Sequence, residues 1–308
     1  MSGTTLDTND LNEVLSEYGI VPESIRKAEQ ASLSDVHIVD GEYVLRSREW
    51  SPGCGAYLAE ERGFLVRVAE LTKLQVPILL PTRSGAYHVR KDDIAWTVYR
   101  RIPGYLSGTW QRLDLMKDSH IRTLFGALRD IHRLTAGRLS EFGFRRNYVQ
   151  EVDRRFGDIS DILSADVRDR VRGVLERIAR VEERLPEDEV VYIHGDYHPG
   201  NVIFDDSETV SGLIDTDWGG TGHAFQDVAY FIMMLFRNYE KPRFVFDERK
   251  LSKYMEWYGV SEQERLLLMD FLILSIVYDV YVFKYLNQDP DRKRHFDYQL
   301  GMLGELCS

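Results

Sequence analysis

The segment that most constrains this chain runs from His194-Gly195-Asp196-Tyr197-His198-Pro199-Gly200-Asn201 to Leu213-Ile214-Asp215. Between its ends, Val202-Ile203-Phe204 and Val210-Ser211-Gly212-Leu213-Ile214 read as short strands joined by the polar turn Asp205-Asp206-Ser207-Glu208-Thr209, a β-hairpin. An antiparallel hairpin pairs the start of its first strand with the end of its second, so Asn201 and Asp215 emerge side by side. Pro199-Gly200 prevents a helix after Asp196, leaving that carboxylate on a loop that curls toward the same end. Phosphoryl transfer needs a carboxylate at the attacking hydroxyl and hard oxygen ligands for Mg2+ on nucleotide phosphates. Asp196 is therefore read as the base that accepts or orients a substrate hydroxyl, and Asn201 and Asp215 as ligands for Mg2+.

The pattern His-Gly-Asp-x-His-x-x-Asn, the later Ile-Asp, and Gln226-Asp227-Val228-Ala229-Tyr230 together resemble the aminoglycoside phosphotransferase and choline kinase-like superfamily. Leu11 to Ile20 followed by Tyr43-Val44-Leu45-Arg46 is similar to the opening of homoserine kinase-like and spore-coat-associated members. Tyr99-Arg100-Arg101-Ile102-Pro103-Gly104 resembles the family's interdomain hinge, and Leu128-Arg129-Asp130-Ile131-His132 its helix before the catalytic loop. The resemblance implies an α+β, protein kinase-like fold of two lobes. A small antiparallel β lobe, 1–104 with the hinge, would bind nucleotide, and a larger, mainly helical lobe, 105–308, would carry catalysis and substrate binding.

Apolar periodicity gives the same division. Leu11 to Tyr18 has helical spacing, and Ile25 to Ala28, Val36 to Val39 and Tyr43 to Arg46 read as strands, the last two joined by Asp40-Gly41. Tyr57 to Thr72 is helical and is followed by strands at Ala86 to Val89 and Ala95 to Tyr99. Beyond Gly104, helices are expected at Asp118 to Leu134, Val167 to Leu185, Phe225 to Tyr239, Asp247 to Tyr258 and Glu262 to Leu286.

In kinase-like folds a basic residue on the third strand reaches the phosphates and is positioned by a carboxylate on the next helix. The matches are Arg46 and Glu61, with Glu60 an alternative to Glu61. Arginine in place of lysine departs from the protein-kinase pattern, although a guanidinium grips phosphate oxygens in a fork. The phosphate-covering stretch Glu29-Gln30-Ala31-Ser32-Leu33-Ser34-Asp35 has no glycine, so the hydroxyls of Ser32 and Ser34 are the candidate phosphate contacts. By the same resemblance, the backbone of Arg100 to Ile102 would pair with the base edge beside a bulky Tyr99, with ATP and GTP both open as donors.

Other residues have a bland reading beside the functional one. His194 and His198 are four apart, a zinc spacing on a helix, but Gly195 and Pro199 exclude that helix, so both are read as structural or hydrogen-bonding. Asp217 returns to the side of Asp215 if the strand continues and would then face metal or substrate, whereas Trp218-Gly219-Gly220 argues that it has ended. Asp227 is read as structural, near a helix N-terminus where a carboxylate meets free amides. Trp257, Tyr258, Tyr278, Asp279 and Tyr281 are candidates for an acceptor pocket, the alternative being helix core.

Composition limits the partners. Lys and Arg number 39 against 50 Asp and Glu, a net charge of −11, which opposes binding to nucleic acid or anionic lipid. Up to Gly104 there are 12 basic against 15 acidic residues (−3), and beyond it 27 against 35 (−8). That excess suits a cationic acceptor, although Glu182-Glu183, Glu187-Asp188-Glu189 and Asp205-Asp206 read as solvated surface. Phe271 to Phe283, broken by Asp279, is too short to span a bilayer, no secretory signal is visible, and Cys54 and Cys307 form no disulfide framework; a cytoplasmic location is expected.

Three functional classes follow. The first is a nucleotide-dependent O-phosphotransferase acting on a small-molecule hydroxyl, of an aminoglycoside or other antibiotic, or of a sugar, homoserine or choline-like metabolite. The second is a two-metal phosphoesterase built on Asp196-Tyr197-His198, for which no downstream Gly-Asn-His set exists. The third is a noncatalytic nucleotide-binding protein, which the joint presence of Asp196, Asn201 and Asp215 opposes.

Overall fold

Contact density divides the chain into two units, Met1–Pro103 and Gly104–Ser308. The computed structural model describes residues 7–307 except 29–34, 107, 109–112, 114, 115, 242 and 287–290. Ser32 and Ser34 thus lie outside the described residues.

The first unit is a five-stranded antiparallel sheet with a helix against each face. Its elements are α1 (Thr8–Glu17), β1 (Ile25–Lys27), β2 (Val36–Val39), β3 (Tyr43–Glu49), α2 (Cys54–Thr72), β4 (Val89–Lys91) and β5 (Ile94–Arg100), with strand order β1-β2-β3-β5-β4. Period-two alternation serves both faces. Leu45, Trp96 and Val98 pack with Leu11, Val14 and Leu15 of α1, while Val44, Ala95 and Tyr99 pack with Cys54 and Leu58 of α2. The β2–β3 turn places Asp40 at φ 52° and Gly41 at φ 71°, closed by the Glu42 amide donating to Val39 O at 3.0 Å, as an Asp-Gly hairpin requires. β3 extends three residues past the expected Arg46 end because Ser47, Arg48 and Glu49 pair with Trp96, Ala95 and Ile94. β4 falls C-terminal to the expected Ala86 to Val89, since Thr82 and Ala86 are held in a turn.

The second unit contains β6 (Tyr105–Leu106), α3 (Asp118–Thr135), α4 (Tyr148–Ile159), α5 (Ala165–Arg184), β7 (Val191–Ile193), β8 (Val202–Phe204), β9 (Val210–Leu213), β10 (Gly220–Gly222), α6 (Phe225–Phe236), α7 (Glu248–Tyr258), α8 (Arg265–Tyr281, running on as a π turn, Val282–Leu286) and α9 (Arg292–Cys307). A turn closed between Ser261 and Glu264 leads into α8: Ser261 Oγ donates to Glu264 Oε2 at 2.6 Å and accepts from the Glu264 amide at 3.3 Å. α8 lies against α4, α5, α6 and α9. The apolar helical segment Arg265–Tyr285 is longer than the sequence run suggested and by length and composition could cross a bilayer. However, 67% of its apolar window is buried inside the protein, which makes it the core helix of this unit. The strands form two small antiparallel sheets, β6-β8-β9 and β10-β7.

Candidate active site

The expected hairpin is present. β8 and β9 pair Val202 with Leu213, and the Ile214 amide donates to Asn201 O at 2.9 Å, so Asn201 and Asp215 leave the open end together. Asp205 organises the turn, its Oδ1 accepting from the amides of Ser207 and Thr209 at 2.9 and 3.0 Å. Asp215 has φ 57°, a left-handed conformation uncommon for an aspartate and typical of the strain found at functional positions. The strand ends at Leu213, and Asp217 and Trp218 occupy a turn closed by Gly219 N donating to Thr216 O at 2.8 Å. Asp217 is therefore not carried back by strand alternation.

Asp196 is held against Asn201. Its Oδ2 and its main-chain carbonyl both accept from Asn201 Nδ2 at 2.9 Å, and its Oδ1 accepts from the Tyr230 hydroxyl at 2.7 Å. His198 Nε2 stands 3.6 Å from Oδ1. Burial raises the carboxyl pKa, but His198, the Tyr230 hydroxyl and His194 outweigh it and hold Asp196 down at about 2. It is a carboxylate at neutral pH. The Asn201 amide nitrogen is thus spent on Asp196, and its amide oxygen is not part of that contact.

The loop around Asp196 is built rigidly. Gly195 has φ 79°, and a Cβ there would lie 2.3 Å from both Arg146 Nη1 and Trp218 O, so only glycine fits. Tyr197 is fully buried and donates to Leu124 O on α3 at 2.8 Å. His194 accepts at Nδ1 from the Asp196 amide at 3.3 Å and donates from Nε2 to Ile214 O at 3.0 Å, tying Asp196 to the residue before Asp215.

Asp227 lies in the first turn of α6, but its carboxylate serves the catalytic loop rather than its own helix end. It accepts from the amides of His194 at 2.7 Å and Gly195 at 2.8 Å. Behind it stand His132 Nε2 at 3.4 Å and then Tyr258, whose hydroxyl is 2.7 Å from His132 Nδ1. Burial raises the Asp227 pKa, and the bonds and charge from His132 and His194 more than reverse that. Tyr258 thus belongs to the frame that supports the loop. Trp257 packs with Phe125 and Tyr254 beneath the Lys253 ammonium.

Two further groups flank the site. Arg237 and Asp279 form a buried ion pair, in which burial pushes the Asp279 carboxyl up to about 6 despite the arginine. Glu151 binds Arg146 at 3.1 Å and Arg155 at 2.6 Å, and the Arg155 guanidinium lies over the rings of Tyr278 (4.2 Å), Tyr281 (5.5 Å) and Trp218 (5.8 Å). Asp279 and Tyr281 therefore have internal partners. Tyr230 was quoted in the sequence only as part of a motif, yet it lies one turn after Asp227 on α6, where i and i+3 share a face.

In the first unit, Glu61 is 4% exposed and both its oxygens accept from Arg48 Nη1, at 3.0 and 2.8 Å. Arg48, two residues beyond Arg46 on the same face of β3, is thus a partner of Glu61 that the sequence did not single out. At the end of β5, Tyr99 is buried and Arg101 N donates to Glu42 O at 2.7 Å. Ladder alternation then turns the Arg100 carbonyl and the Ile102 amide away from β3.

A two-unit kinase-like fold with these carboxylates is that of a nucleotide-dependent phosphotransferase. A family model described as the phosphotransferase enzyme family matches residues 26–254, and the chain belongs to that family. Among curated proteins, an aminoglycoside 3'-phosphotransferase of Niallia circulans is 28% identical over 191 residues, 61% of this chain and 67% of the relative. Among solved structures, the GDP and kanamycin complex of APH(2")-IIIa aligns with a TM-score of 0.69 at 16% identity, over 97% of this chain and 98% of that one. A macrolide 2'-phosphotransferase from Brachybacterium faecium aligns with a TM-score of 0.59 at 13% identity, over 96% and 97%. The chain is an enzyme that transfers a phosphoryl group from a nucleotide to a hydroxyl.

Proposed function

We propose that Asp196 is the base of this transfer and that the acceptor is a hydroxylated small-molecule antibiotic, with aminoglycosides the first class to test. The observation that carries the roles is the double hydrogen bond from Asn201 to Asp196, which orients that carboxylate at the hairpin end where Asn201 and Asp215 emerge together. An amide oxygen and a carboxylate make a hard donor set that fits Mg2+. When bound, Mg2+ would neutralise charge on the nucleotide phosphates.

The chain's own groups do the rest. Asp196 accepts the proton of the acceptor hydroxyl as its oxygen bonds to the γ-phosphorus and the bond to the nucleoside diphosphate breaks. Arg46 reaches the phosphates, and Arg48, oriented by Glu61, lies beside it. The Arg100 carbonyl and the Ile102 amide read the base edge next to Tyr99. The acidic balance of the second unit and the relatives named for aminoglycosides support a cationic acceptor. The location is cytoplasmic, in keeping with two free cysteines.

The test is nucleotide consumption with Mg2+ and ATP or GTP across aminoglycosides, macrolides, sugars, homoserine and amino alcohols, with mass spectrometry of each acceptor. An aminoglycoside gaining one phosphoryl group in an Asp196-dependent reaction supports the proposal. Transfer only to a sugar or amino alcohol would overturn the acceptor class.

A further inference from the structure

The transfer just described makes no use of the Tyr230 hydroxyl. That hydroxyl donates to Asp196 Oδ1 at 2.7 Å, while Asn201 occupies Oδ2 at 2.9 Å. Both oxygens of the base are thus engaged by the protein before any acceptor arrives. The contact is an O–H donating to a carboxylate oxygen, which is chemically the contact an acceptor hydroxyl must make. A water seeking to be activated by Oδ1 competes with the same phenol.

We propose that Tyr230 is a positioning residue that caps the reactive oxygen of Asp196 until an acceptor hydroxyl displaces it, and so suppresses hydrolysis of the nucleotide. The inference rests on the reading of Asp196 as the base. Three features suit Tyr230 to this task. It is anchored on the helix that carries Asp227, whose carboxylate holds the His194 and Gly195 amides, so the cap and the loop share one rigid support. Its phenol is kept protonated, since burial and the adjacent Asp196 push its pKa well above the ordinary value. It also touches only Oδ1, which leaves the Asn201 bond intact when it is displaced.

The reaction held in check is simple hydrolysis. Water oxygen bonds to the γ-phosphorus, the bond to the nucleoside diphosphate breaks, and the water proton passes to Asp196, giving orthophosphate and nucleoside diphosphate. An acceptor alcohol with its own binding contacts can displace the phenol, whereas a single water has no such contacts to offset the lost bond.

The experiment measures diphosphate release from Mg·ATP and Mg·GTP without acceptor, in wild type, Tyr230→Phe, Tyr230→Met, Asp196→Asn and the double variant Asp196→Asn/Tyr230→Phe. Melting temperature and nucleotide binding serve as controls of fold. The expected result is a rise of about tenfold in hydrolysis for Tyr230→Phe, the scale of losing a hydrogen bond to a charged group. Tyr230→Met, which also lacks the hydroxyl, should rise as well, and the double variant should fall back to or below wild type. Unchanged or lower hydrolysis in folded, nucleotide-binding Tyr230 variants overturns the cap. If the gain persists without Asp196, the reading of the base fails, and the cap fails with it.

Discussion

Asn201 donates from one amide nitrogen to two oxygens of Asp196, the main-chain carbonyl and Oδ2, each at 2.9 Å. One side chain thereby fixes the Asp196 carboxylate, at the hairpin end where Asn201 and Asp215 emerge together. Asn201→Ala removes that hold and the proposed Mg2+ ligand, so turnover should fall about 100-fold and the Mg2+ concentration for half-maximal rate should rise. A magnesium titration of nucleotide consumption checks this; a fall in rate at unchanged magnesium dependence would separate Asn201 from the metal.

Gly195 is fixed by sterics. A methyl group at φ 79° would meet Trp218 O and the Arg146 guanidinium at 2.3 Å. Gly195→Ala should cost about 3 kcal/mol of stability or more, read from urea unfolding. A loss below about 1 kcal/mol would show that the loop can move aside.

The Glu61–Arg48 pair makes a prediction for the first unit. Glu61→Gln and Arg48→Ala should each raise the nucleotide KM about tenfold, on the scale of one lost charge-assisted hydrogen bond, and the double variant should add little. Arg46→Ala should raise it independently. If Arg48→Ala leaves nucleotide binding intact, the pair serves only the packing of α2 on the sheet.

Stability should depend on Glu182. Burial raises its carboxyl to about 7 from 4.5, against weaker pulls from the Val149 amide, Arg145, Arg146 and Gln226. An acid with a raised folded-state pKa contributes stability below its unfolded value and loses it as pH rises through the folded value. Relative to Glu182→Gln, wild type should therefore weaken between pH 4.5 and pH 8, by about 2 kcal/mol after allowing for partial exposure. Urea midpoints of the two proteins at pH 5 and pH 8 test the sign, and a pH-independent gap would refute it.

Much of the catalytic unit could be read in advance because its strands are short, β-branched and bounded by turn residues. Asn201 and Asp215 meet for the reason the pairing rule gives. What escaped depended on partners distant in sequence. β6 is two residues long and exists through its pairing with Ile203 and Phe204. α9 follows a polar stretch and buries His295 and Gln299, so its core face carries no clean apolar stripe. α4 was hidden by its charge, with Arg155 buried beside Val152 and Phe156. Arg48 lay beyond the expected strand end, and only cross-strand pairing carries β3 that far. Tyr258 and Asp279 were read as acceptor-pocket candidates, and their partners, His132 and Arg237, are too distant in sequence to be read from it.

In the proposed mechanism Asp196 accepts the proton of the attacking hydroxyl. The direct measurement is phosphoryl transfer by Asp196→Asn to an acceptor found with wild type, alongside nucleotide affinity by calorimetry. Transfer should fall at least about 100-fold with nucleotide affinity retained. Transfer within a fewfold of wild type would contradict the assignment.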